Sequence, residues 1–128
     1  MMLARAVLIL AAVVFVLIGL GFLIAPVSWA SVVEIALPTA TARTDLRATY
    51  GGFDLAVGLF FALCARRLEW IRPGLAALGL AAAGFGGGRL LGITVEGSAG
   101  PLMGIFAVIE LTTAGLAFVL LRRLRSIR

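Results

Sequence analysis

The sequence predicts an all-α protein: a bundle of four transmembrane helices with both termini cytoplasmic and a short interfacial helix in the first external loop. Three observations carry this. Hydrophobic residues make up 62% of the 128 residues and the mean hydropathy is +1.17, whereas soluble domains are about 45–50% apolar. The apolar residues gather into four runs, each near the roughly 20 residues that cross a hydrocarbon core of about 30 Å. Arginine is concentrated in alternate connections between those runs. At this length the chain reads as a single domain, 1–128.

The spans fall at about 6–25, 46–65, 74–93 and 102–121. Arg5 precedes the first, and Ser28-Trp29-Ala30 beyond it resembles a cleavage site, but its apolar run exceeds the roughly 7–15 residues of a secretory signal core and three more spans follow. Pro26 ends it. In the connection from Pro26 to Thr44, Trp29 suits a membrane interface, Val32, Val33, Ile35 and Leu37 are apolar, and Ser31-x-x-Glu34 matches a capping box. A short helix on the outer membrane surface is expected there. Thr41 or Thr44 is expected to cap the second span, with Asp45 favourable at its positive dipole end. Arg66-Arg67 closes that span, Arg72-Pro73 opens the third, and Gly100-Pro101 opens the fourth with proline in the first turn.

Eight arginines lie on one side: Arg5, Arg66, Arg67, Arg72, Arg122, Arg123, Arg125 and Arg128. The other side holds Arg43 and Arg47, and the short connection 94–100 contains only Glu96. The positive-inside rule therefore places both termini in the cytoplasm. The net charge of +5 reads as topology and contact with anionic lipid, not as a nucleic-acid surface. Histidine is absent and Cys64 is the single cysteine, so bis-histidine haem ligation, histidine zinc sites and Cys-x-x-Cys redox pairs are excluded. No cofactor or metal is expected.

Arg47 stands at the outer mouth of the second span, and three charges lie deeper. Asp54 lies about 12 Å from the outer end of the second, Glu110 at a similar depth in the fourth, and Arg89 near the outer end of the third. Arg47, Tyr50, Gly51, Asp54 and Gly58 recur at helical spacing and are expected to face inward. Gly84, Gly88 and Gly92 form a G-x-x-x-G-x-x-x-G ridge beside Arg89, the usual signature of close helix packing. Gly86-Gly87-Gly88 permits either close packing or a loosened helix that exposes backbone carbonyls. The charges have two readings: a buried network fixing helix register, or a polar pocket open to the outside.

The string Arg47-Ala-Thr-Tyr50-Gly51-Gly52, continuing through Leu55 and Gly58-Leu59, then Gly88-Arg89-x-x-Gly92, Glu96-Gly97 and Glu110, resembles the bacterial membrane family catalogued as domain of unknown function 4345. The layout is similar to that of the DoxX-like proteins. The resemblance implies a four-helix inner-membrane protein and marks Arg47, Tyr50, Gly51, Gly52, Gly88, Arg89, Gly92, Glu96 and Glu110; it implies no activity.

Three functional classes follow. The first is an accessory or scaffold protein of the bacterial inner membrane, packing against a larger membrane complex or a second copy of itself. The second is a binding or transport module for a small anionic or lipidic ligand, with Arg47 and Arg89 on the anion and Asp54 or Glu110 balancing the charge. The third, an enzyme acting on a lipid or quinone, has only carboxylates and Tyr50 for acid–base chemistry.

Overall fold

The computed structural model describes residues 1–97 and 99–124. Helix α1 spans Met2–Ile24, α2 Pro26–Ser31 and α3 Ala40–Leu46; a π-helical stretch, Arg47–Gly52, leads into α4, Phe53–Arg66. A 3-10 turn, Leu68–Trp70, precedes α5, Ile71–Glu96, and α6 covers Pro101–Arg123. Four helical segments are long and apolar enough to cross a membrane: Met2–Ile24, Ala40–Arg66, Leu68–Glu96 and Pro101–Arg123. Arg125 and Arg128 lie outside the described residues.

The helices outrun the apolar runs at several ends. The second starts at Ala40 and the third ends at Glu96, because polar flanking residues continue a helix whose backbone bonds are already internal. Its cap is therefore neither Thr41 nor Thr44. Thr39, in extended conformation, accepts a hydrogen bond from the Ala42 amide at 3.1 Å, while the Thr44 hydroxyl donates to the Ala40 carbonyl. Thr39→Ala is expected to lower stability by about 1 kcal/mol, seen as faster hydrogen exchange at the Ala42 amide. Pro101 stands at the start of α6 after Gly100, as expected.

The loop helix forms, but not from the anticipated capping box. Pro26, with its fixed φ, opens α2, and Ser31 ends it: the Ser31 hydroxyl donates to the Ser28 carbonyl, and Glu34 sits at φ 62 beyond the helix. The loop folds back on α1. Ala30 and Leu37 are buried with Phe22 of α1, and the Trp29 ring lies 6.0 Å from that of Phe22. Arg43 closes the loop by donating to the Leu37 and Pro38 carbonyls.

Packing is closest in two pairs, α1 with α4 and α5 with α6. The pairs share one core, where Leu8 of α1, Phe61 of α4, Ile71 and Leu75 of α5 and Leu120 of α6 are buried together. Because these residues come from the start of α1, the end of α4, the start of α5 and the end of α6, the start of α1 and the end of α6 lie at the same end of the bundle. Asp54, Arg89 and Glu110 lie towards the other.

Candidate functional site: the charged residues of the loop end

Arg89 and Glu110 meet. The Arg89 Nε donates to both Glu110 oxygens at 2.9 Å, and Nη1 approaches the Met103 sulfur at 3.4 Å. The guanidinium carbon lies 5.1 Å from the centre of the Phe106 ring. Met103, Phe106 and Glu110 share one face of α6 at helical spacing. Gly86 makes the approach possible: a Cβ there would press on Leu111 and on the Glu110 Cβ, so α5 lies close enough for Arg89, one turn on, to reach the carboxylate. Both side chains are partly buried, at 29% and 19% exposure. The pair neutralises itself inside one hairpin.

Asp54 does not join it. Its residue is 7% exposed, the only charged residue in the buried set, and among the described residues no hydrogen bond or ion pair reaches its carboxylate. The expected three-residue network is thus a closed pair on α5–α6 and a separate acid on α4.

The inward face expected from the second span divides as well. Gly51, Asp54 and Gly58 are buried, but Arg47 and Tyr50 are exposed. The π-helical stretch is the cause, since i→i+5 bonding shifts the register that a regular α-helix would carry from Arg47 to Asp54. Arg47 instead donates from Nε to the Leu23 carbonyl at 3.0 Å, satisfying an acceptor in the last turn of α1. Tyr50 places its ring 5.1 Å from Phe22. Glu96 is exposed as the last residue of α5, before Gly97 at φ 71, the left-handed position that favours glycine.

The glycines sort differently from their spacing. Gly51 and Gly58 pack, against Leu23 and against Ala12 and Val16 of α1. Gly84, Gly88 and Gly92 do not: a Cβ at any of them, or at Gly87, meets nothing within 4 Å. The ridge points away from the other three helices, so it does not pack this chain. Gly52 has only the Arg47 carbonyl nearby, at 3.8 Å. The α5 helix runs unbroken through Gly86–Gly88, so the loosened form is not the one present. Of the Gly86-Gly87-Gly88 run only Gly86 packs closely, and Gly19, Gly21, Gly74 and Gly79 are close-approach glycines that spacing missed; Gly19 lies in a run with no polar residue to mark a face.

Two open depressions border the bundle. One of about 460 Å³ is lined by Ala40, Thr41, Thr44, Asp45 and Ala48; another of about 400 Å³ lies between α1 and α4. Neither includes Asp54, Arg89 or Glu110. Among the described residues no three histidine, cysteine, aspartate or glutamate side chains are grouped to hold a metal ion.

Four long apolar helices, with their interhelical charges paired or buried, define an all-helical protein of the multi-pass membrane class. Within that class the chain belongs to the family described as domain of unknown function (DUF4345), whose model matches residues 3–121. Comparison with curated proteins and with solved structures gives no match.

Proposed function

We propose that this protein is an accessory or scaffold subunit of the bacterial inner membrane, with both termini cytoplasmic, that docks a neighbouring transmembrane helix on the outer half of α5. The observation that carries this reading is the open ridge of Gly84, Gly88 and Gly92. Each glycine in a helix interior costs about 1 kcal/mol relative to alanine, and no contact within the chain offsets that cost. A second helix laid along the ridge would, because backbones approach closely over glycines four residues apart. Exposed Leu80, Leu91 and Val95 extend the same side of α5.

The alternative, a module for a small anionic or lipidic ligand in the charged cluster, is supported by the unpartnered Asp54. It needs two free arginines, and Arg47 and Arg89 are engaged with Leu23 and Glu110. The accessory reading requires no rearrangement.

Native mass spectrometry of gently extracted protein tests it. A stoichiometric complex is expected for the wild type and its loss for Gly84→Leu/Gly88→Leu, with the variant still helical by circular dichroism. A wild-type monomer without partners sinks the proposal.

A further inference from the structure

Helices α1 and α4 approach most closely where Gly19 faces Gly51 and Leu55 and where Gly58 faces Ala12 and Val16. Towards the end where α1 starts and α6 ends, the short side chains of Ala12, Ala62 and Ala65 leave an apolar trough of about 400 Å³. Ile9, Val13 and Leu17 form its α1 wall. From Leu17 to Ile9 the helix rises roughly 12 Å, enough for the upper part of a fatty acyl chain. Its single charged lining residue is Arg66, which is exposed at the end of α4.

A second basic residue, outside the lining, lies at the same end of the bundle. Arg5 lies one turn before Ile9 on the same side of α1, and its Nε–H is buried without an acceptor. Among the described residues neither Arg5 nor Arg66 has a carboxylate partner, and the Arg89–Glu110 pair is at the far end of the bundle. An exposed guanidinium at the rim of an apolar trough, with no carboxylate to neutralise it, suits an anion supplied from outside the chain, and Arg5 adds positive charge at that end.

We propose that this trough is a site for one anionic phospholipid, its acyl chain lying between α1 and α4 and its phosphate held by Arg66, with Arg5 adding to the positive potential of that end. Arginine presents donors matched to phosphate oxygens. Choline lipids share the phosphate, but their ammonium would face an end bearing Arg5, Arg66, Arg67 and Arg72. Charge therefore selects phosphatidylglycerol over phosphatidylcholine. The site lies on a different helix pair from the glycine ridge, so it stands or falls separately from the docking proposal.

The test is native mass spectrometry of delipidated protein mixed with dioleoyl phosphatidylglycerol or dioleoyl phosphatidylcholine. One phosphatidylglycerol should be retained preferentially, by roughly five-fold or more for each guanidinium engaged. Arg66→Gln should abolish most of that preference while leaving the fold intact, since Arg66 is exposed. Ala62→Phe, which fills the trough, should reduce retention of both lipids. Arg67→Gln is the control, because the Arg67 guanidinium lies 5.8 Å from the Trp70 ring instead of in the trough; it should bind as wild type. Equal retention of the two lipids by the wild type overturns the proposal, as does loss of preference in Arg67→Gln matching that in Arg66→Gln.

Discussion

Arg89→Ala is expected to destabilise the protein by about 3 kcal/mol, the lower end of what removing one member of a buried ion pair costs. The lower end applies because both side chains keep some exposure, 29% and 19%. The loss comes less from the missing bond than from the group left behind: the partly buried Glu110 carboxyl would lose the only side-chain donor that reaches it among the described residues. Replacing both residues separates these terms. Arg89→Leu/Glu110→Leu removes two desolvated charges together and is expected to fall within about 1 kcal/mol of wild type. Denaturant unfolding in mixed micelles, run as a double-mutant cycle, reads the difference. An unmoved midpoint for Arg89→Ala would show that water reaches Glu110 freely and that the pair does not brace α5 against α6.

That pairing was partly legible in the sequence. Arg89 and Glu110 carry opposite charge at similar depth on consecutive spans, and a charge facing lipid is expensive enough that a partner is expected. Hydropathy likewise locates the four spans, because length and apolar content are properties of one segment at a time. The face of a helix is less secure. Placing Arg47 and Tyr50 beside Asp54 assumes unbroken i→i+4 bonding, and the π-helical stretch Arg47–Gly52 breaks that assumption. No composition rule marks such a stretch in advance.

Glycine spacing misled for a different reason. A Gly-x-x-x-Gly ridge says that a backbone can be approached, not which helix approaches it. On α5 the regular ridge of Gly84, Gly88 and Gly92 is open, while Gly79 and Gly86, out of step with it, meet Phe118 and Leu111 of α6. Three-dimensional neighbours decide the matter. The same limit applied to Ser31-x-x-Glu34, whose capping pattern was overruled when Pro26 began the helix five residues earlier.

Gly19→Ala is expected to be the most damaging single methyl added to this protein, at about 2–3 kcal/mol. The new Cβ would stand 2.5 Å from the Leu55 nitrogen, 2.8 Å from the Gly51 oxygen and 2.9 Å from the Leu55 Cα. All three are backbone atoms of the second span. No side-chain rotation relieves them, so α1 and α4 must separate. Gly21→Ala meets the Trp29 ring instead; the ring belongs to the loop helix and can swing aside, so a smaller loss is expected. Gly88→Ala meets nothing and gains helix propensity, so the isolated chain should be stabilised by up to about 1 kcal/mol. Thermal melting of the three variants in one detergent should therefore rank Gly88→Ala above wild type, then Gly21→Ala, then Gly19→Ala. If Gly19→Ala melts with wild type, the α1–α4 seam is looser than the structure has it. Asp54, which shares that seam with Gly51 and Gly58, would then be open to water and would need no partner.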